Sequence, residues 1–205
     1  TNTASTGAGT AANPYVIPLQ ATPTCNGLLI EESRTNRALW CRDASQTPNR
    51  NWVAYSEQFD NAYWAKQNAT ISSNTLATTD PLGGNTADLM YPTSTGTFRE
   101  IFKGAINGGG GGASTLMVAS IYAKAGGLNW LRISNSDTDN NGAWFDLQNG
   151  VVGTKGSLIA SSSISSAGNG WYRCSIVINN TNYLIQYQLT DGDATNTATA
   201  NGTNG

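Results

Sequence analysis

The chain of 205 residues contains no histidine. That absence removes Ser-His-Asp and Cys-His nucleophilic machinery, histidine general bases and most zinc sites of catalytic type. Charge is scarce too: 12% of residues are charged, and 11 basic against 13 acidic side chains leave a net charge of −2. A nucleic-acid partner needs a basic face that releases phosphate counterions, and a membrane-surface segment needs clustered lysine and arginine. Neither is encoded, so no nucleic-acid partner is expected. No apolar run approaches the roughly 18 residues of a bilayer span, and membrane insertion is not expected either. The opening TNTASTGAGTAANP has neither a basic nor an apolar targeting region. Three cysteines, Cys25, Cys41 and Cys174, show no C-x-x-C spacing and cannot all pair within one chain. Buried thiols are the expectation, with a Cys25–Cys41 bridge as the alternative.

What is abundant is threonine, asparagine, serine and glycine, a turn-forming, uncharged mixture typical of loop-rich all-β surfaces. Residues 1–25 are small, polar and aperiodic and read as an extended N-terminal arm or linker. The chain does not begin with methionine, which suggests processing or a piece of a longer polypeptide. From residue 26 to 205 the apolar pattern has period two. TLMVASIYAK (Thr115–Lys124), NWLRISNS (Asn129–Ser136), AWFDLQ (Ala143–Gln148), GWYRCSIVIN (Gly170–Asn179) and NYLIQYQL (Asn182–Leu189) are short, β-branched or aromatic, and fenced by turn residues. Weaker strands are expected in Ala69–Ala77, Asn85–Pro92 and Thr97–Gly104. SEQFDNAYWAK (Ser56–Lys66) alone suggests a helical turn, with Ser56 as cap and Phe59 and Trp64 inward. Asn149-Gly150 signals a hairpin, and Gly108–Gly112 reads as a mobile loop. Some eight antiparallel strands predict an all-β antiparallel sandwich of jelly-roll type.

Three constellations are candidates for chemistry. In GLLIEESRTN (Gly27–Asn36), paired carboxylates suggest acid–base work on a glycosidic bond. Neighbouring strand residues point to opposite faces, however, so Glu31 and Glu32 cannot flank one bond. The expected role is a structural clasp: one carboxylate pairs with Arg34 while Asn36 or Thr35 satisfies a turn. In DTDNNG, Asp137, Asp139, Asn141 and Gly142 copy the first half of an EF-hand loop, but Gln148 stands where the bidentate carboxylate belongs. A solvated hairpin with no cofactor is preferred, and a calcium site at Asp137, Asp139 and Asn141 is the alternative. Third, alternation puts Leu131, Ile133, Phe145 and Leu147 on one sheet face and Trp130, Arg132, Trp144, Asp146 and Gln148 on the other. Sugar rings stack on aromatics and bind such polar groups, so these five form a candidate carbohydrate site. The competing reading has the tryptophans covering the second sheet or a neighbouring subunit. Trp171 and Tyr172 straddle both faces at a strand start, with one expected in the core, and Arg173 is expected to pair with an acidic neighbour.

The order GLLIEESRTN, NWVAYSEQFDNAYWAK, IYAKAGGLNWLRI, AWFDLQNGVVG, GNGWYRCSIVI resembles a domain of tailed-bacteriophage structural proteins found in tail fibres, tail spikes and head appendages. It resembles this carbohydrate-binding-module-like β-sandwich over roughly residues 26–205. Two departures stand out. RALWCRDASQTPNR (Arg37–Arg50) intervenes where the family continues directly, and a further apolar strand is missing after NGTNG, so a neighbouring subunit is expected to fill that edge. The resemblance implies a non-enzymatic virion protein on the particle exterior, assembled with other copies of itself, as a trimer, and with other virion proteins. It also implies weak, multivalent binding of host-surface glycans. The alternatives are a capsid-decorating protein without glycan binding and a polysaccharide depolymerase fragment. The last would need two carboxylates converging on a cleft.

Overall fold

A computed structural model describes residues 51–93, 96–106, 115–180 and 184–198. The expected arm, the clasp residues Glu31, Glu32, Arg34 and Asn36, the Gly108–Gly112 loop, Cys25 and Cys41 lie outside these. The described chain is all-β and antiparallel. In chain order the strands are β1 (Ala65–Gln67), β2 (Ala69–Ser72), β3 (Leu89–Pro92), β4 (Gly96–Thr97), β5 (Arg99–Lys103), β6 (Thr115–Lys124) and β7 (Trp130–Ser134). They continue with β8 (Gly142–Asp146), β9 (Val151–Lys155), β10 (Ile159–Gly168), β11 (Trp171–Asn180), β12 (Ile185–Thr190) and β13 (Thr197–Ala198). Six of them form one sheet in the order β1-β5-β12-β7-β8-β9, and β10-β11-β6 form a second. Short ribbons β2-β3 and β13-β4 complete the pairing.

The two larger sheets face each other across one core, which makes the architecture a sandwich. Period-two alternation explains which side each strand gives to it. From the large sheet come Ile101, Ile185, Tyr187, Leu131, Ile133, Ala143 and Phe145; from the small sheet come Ile159, Cys174, Ile176 and Ile178. Burial pushes the Cys174 thiol up to about 12, so it packs as a small apolar group. Met117, Ala119, Ile121 and Ala123 of β6 point the same way and are partly buried. The core extends to an aromatic cluster from the segment preceding β1. Trp64 is buried and packs against Phe59 and Tyr187 at ring-centroid distances of 5.2 and 6.0 Å. Its indole N–H donates to the Tyr55 carbonyl at 2.9 Å.

The strongly periodic strands fall where expected, β6 at both ends and the others with ends shifted by one to three residues. Several elements differ. The helical turn expected in Ser56–Lys66 is instead a succession of tight turns, with Gln58, Asn61 and Trp64 N–H groups donating to carbonyls three residues back. Phe59 and Trp64 still face inward, because burying those rings outweighs any helical preference of the segment. β1, β9 and the two-residue β13 were not expected, nor was β10, whose IASSSISSAG is serine-rich and weak in β-propensity. Pairing with β11 along its length imposes the strand. The Asn149-Gly150 hairpin joins β8 to β9, with Gly150 at φ +67°.

Between β2 and β3 the loop is closed by one carboxylate. Asp80 Oδ1 accepts from the N–H groups of Leu82 and Gly84 at 2.8 and 3.0 Å, and Oδ2 accepts the Thr86 hydroxyl at 2.7 Å. The Thr86 hydroxyl does most to hold this carboxyl at about 2; burial opposes it, and the Gly84, Leu82 and Thr86 N–H groups add to it. A depressed native value stabilises the fold above the ordinary 3.8 and is lost as pH falls through that value toward about 2. Thermal melts between pH 2 and 5 should therefore show a smaller acid loss in Asp80→Asn than in wild type. Parallel acid limbs would exclude Asp80 as a source of that dependence.

Candidate functional site

The polar face of the large sheet is where the sequence placed its carbohydrate candidates, and the register brings them together. Gln188 of β12 lies opposite Glu100 of β5 on one side and Arg132 of β7 on the other, and Arg132 lies opposite Trp144 of β8. The next rung sets Thr190 against Trp130 and Trp130 against Asp146. Glu100, Gln188, Arg132 and Trp144 thus form a row across four strands, with Trp130 and Asp146 beside it. Only Gln148 departs: it lies past the end of β8, exposed, and accepts from the Asn129 amide at 2.9 Å.

The row is not open to a ligand. Arg132 is 0% exposed, Trp144 1% and Glu100 2%. Two segments of the chain itself close the face. Asn135–Asn141, which joins β7 to β8, gives the Arg132 guanidinium the carbonyls of Ser136 and Thr138 at 3.2 and 2.7 Å. The strap Asp191–Asn196, after β12, gives the Thr195 carbonyl to the Trp144 indole N–H at 2.7 Å. Asp193 anchors the strap to β9 by accepting from Thr154 N–H and hydroxyl at 2.7 and 3.0 Å. Asn196 donates to Asp139, tying the strap to the other loop. Ala194 takes φ +52°, a strained value for a residue with a Cβ, which those anchors hold in place.

Inside, the polar groups answer one another. Arg132 donates to the Gln188 side-chain oxygen, and the Gln188 amide donates to Glu100. Gln186 shares its amide between Glu100 at 3.2 Å and Asp137 at 2.7 Å, and Ser134 donates to the Gln186 oxygen at 3.1 Å. The guanidinium carbon sits 5.0 Å from the Trp144 ring centroid, a cation–π contact. Burial pulls the Arg132 guanidinium below its ordinary value, and the Asp139, Glu100 and Asp137 carboxylates pull it back. Burial likewise raises the Glu100 carboxyl, the Gln188 amide opposes it, and Asp137 adds to the rise. Asp146 is a hairpin cap. Burial pushes its carboxyl up, but the Asn149 side chain and the Asn149 and Gln148 N–H groups outweigh it and hold it below the usual carboxylate range.

These placements revise the sequence-based roles. Trp144, Arg132 and Asp146 are interior or capping groups, and Trp130 is half-buried with its ring against Gly153 and Asp193. The competing expectation for the tryptophans is nearer: Trp144 meets the chain's own strap. The EF-hand resemblance has a different origin. Asp137 and Asp139 accept from Gln186 and Asn196, and Asn141 donates to the Thr138 hydroxyl at 2.6 Å. The positive charge these carboxylates surround is the Arg132 guanidinium. Among the described residues no three Cys, Asp or Glu side chains are grouped to hold a metal. Gly142 is glycine for the same reason: a Cβ there would stand 2.5 Å from Arg132 Nε and 2.9 Å from Cζ. Glu100 and Asp137 do approach one another through the shared Gln186 amide, but Glu100 is buried beneath the amides of Gln186 and Gln188. Arg173 pairs with the Ser120 hydroxyl at 3.2 Å, where an acid was expected. Trp171 is the buried member of its pair and donates to the Thr79 carbonyl at 2.8 Å, while Tyr172 is half-buried against the core.

Sequence reasoning missed Glu100, Gln186, Gln188 and the strap. The signal was the alternation of glutamines in IQYQLT, polar residues spaced two apart in an apolar strand and facing Arg132 and Ser134. No protein-family model matches the chain, and no curated protein matches it.

Gly142→Ala should cost about 1–3 kcal/mol through overpacking, because the guanidinium it displaces is held by Gln188, Ser136 and Thr138. Gly192→Ala, whose methyl would meet only Thr195 Cγ2 at 3.9 Å, should stay within about 0.5 kcal/mol of wild type. Urea unfolding of both variants decides the point; equal midpoints would show that the Arg132 pocket is loose.

Proposed function

We propose that the protein is a non-enzymatic structural module of a bacteriophage virion. In this reading it is a jelly-roll-type sandwich on the particle exterior, in a fibre or appendage, assembled with copies of itself and with other virion proteins. The observation that carries this reading is the use made of the residues behind the family resemblance. Trp64 of NWVAYSEQFDNAYWAK, Leu131, Arg132 and Ile133 of NWLRI, Trp144 to Asp146 of AWFD, and Trp171 and Cys174 of GWYRC are interior residues or caps. They build a rigid sandwich, and a display module needs that rigidity more than it needs a reactive cleft. A capsid-decorating role is the nearest variant of the same proposal.

Weak glycan recognition is the second reading, and a different place favours it. Tyr55 is exposed, Tyr63 lies 5.7 Å from it between ring centroids, and Lys103 Nζ sits 4.4 Å from the Tyr63 centroid. An exposed tyrosine resting on a half-buried one beside a cation suits the apolar C–H face and hydroxyls of a sugar.

Antiserum raised against the chain should decorate density-purified particles from the culture that produces it. Recovery solely in the particle-free fraction would remove the virion reading. Titration of host-surface polysaccharide then separates the variants. Saturable binding lost in Tyr55→Ala but kept in Trp130→Ala supports an adhesin at the tyrosine pair; no binding by assembled wild type leaves a decorating module. Release of new reducing ends would overturn the non-enzymatic assignment.

A further inference from the structure

The outward face of the small sheet differs in kind from the sealed face of the large one. Register places its outward side chains in rows across β10, β11 and β6: Ser161, Val177, Val118; then Ser163, Ser175, Ser120; then Ser165, Arg173, Tyr122, with Ser175 buried and Val177 and Ser120 half-buried among their neighbours. Leu116 and Lys124 continue the β6 column at either end. The face is flat, because most of these side chains are small. Its large apolar groups stand in one line, with Leu116 67%, Val118 65% and Tyr122 52% exposed. It carries two cations, Arg173 and Lys124, and no carboxylate. An apolar line interrupted only by Ser120 on a long strand is what natural sheets usually blunt with charge, proline or a bulge, and β6 has none of these before Lys124.

We infer that this face is the contact surface for a second copy of the chain, packed sheet on sheet about a two-fold axis running across the strands through the central serine row. Charge placement selects that arrangement. With the axis across the strands, Val118 faces Tyr122 of the partner subunit, Leu116 faces the stem of Lys124 of the partner subunit, and Val177 faces the stem of Arg173 of the partner subunit. The two guanidinium groups then lie about 14 Å apart, four residues at about 3.4 Å each, beyond the roughly 8 Å screening length at physiological salt. An axis along the strands would stack Arg173 on its own copy, a like-charge contact that costs affinity. The contact is isologous and closes at two copies. Size argues for a weak pair. Three strands about 4.8 Å apart and ten residues long outline roughly 500 Å² per protomer, so the pair buries on the order of 1,000 Å², about the least a specific interface needs. Such a dimer is expected whether or not the protein belongs to a virion, so particle labelling and solution association can fail separately.

Analytical ultracentrifugation of the full chain over a concentration series tests this directly. Wild type should pass from monomer to dimer, with no trimer. Val118→Arg sets a guanidinium next to the partner's Arg173, which faces the neighbouring Val177, twice per dimer, and this like-charge contact should raise the dissociation constant by at least about tenfold. Val151→Arg, at an exposed position of β9 in the other sheet, should leave it unchanged. Circular dichroism melts establish that both variants are folded, as their exposed positions lead one to expect. A wild type that is monomeric throughout, a trimer, or a dimer that survives Val118→Arg overturns the inference.

Discussion

Arg132 lies in the middle of a sheet with its charge removed from water, so the protein has to meet that charge on every side. Gln188 takes one N–H, the Ser136 and Thr138 carbonyls take others, and the Trp144 ring covers the flat face of the guanidinium. The carboxylates of Asp139, Glu100 and Asp137 supply the counter-charge at a distance. Even so, Arg132 Nε is buried with no hydrogen-bond acceptor. A desolvated ion costs several kcal/mol before its partners repay it. Each group that serves Arg132 must therefore be held in position, and much of the large sheet follows from that demand. Gly142 has no side chain because the guanidinium fills the space, and the β7–β8 loop turns inward because its carbonyls are acceptors.

Replacing such a network by packed apolar residues often leaves stability unchanged or improves it. What the network supplies here is register. Four strands, β5, β12, β7 and β8, contribute one member each to the row from Glu100 to Trp144. A slip of one residue in any of them would turn an apolar side chain into the polar row and a polar one into the core. β12 is the strand most in need of such a lock. It is distant in sequence from both neighbours, β5 and β7, so no hairpin turn sets its alignment. Its two glutamines do so instead, each bonded to groups on both flanking strands.

The period-two signal carries far because it reports directly on burial. Leu131, Ile133, Phe145 and Leu147 alternate with polar neighbours, and they are the core side. The same alternation correctly gathers Trp130, Arg132, Trp144 and Asp146 on the opposite face. It is silent on what lies over that face. Whether a sheet face is wet is decided by segments elsewhere in the chain, here the strap near residue 195 and the loop near residue 138, and neither has a pattern that reports its destination. A binding face and a buried polar layer are written in the same residues: aromatics, guanidinium, carboxylate and amide. Distinguishing them requires counting partners. Arg132 alone uses three acceptors, and six hydrogen bonds in its layer involve Gln186 or Gln188, which an isolated reading of NWLRIS and AWFDLQ never meets. β10 shows the opposite failure. Its serines carry little strand preference, and only β11 alongside makes them a strand.

The two sheets have consequently divided the chemistry between them. On the large sheet the charged and amide side chains face one another beneath the strap, so their specificity is spent on the fold. The small sheet keeps serine, valine and a single line of larger apolar groups outward, with hardly any charge. Surfaces of that composition recognise by shape and area, since they have few directional groups to offer and little desolvation cost to overcome. A flat partner fits them better than a small polar ligand does, and another sheet is the flattest surface a protein presents. That places the proposed self-contact on the side where the sequence is plainest, away from the tryptophans and charged residues that first draw attention.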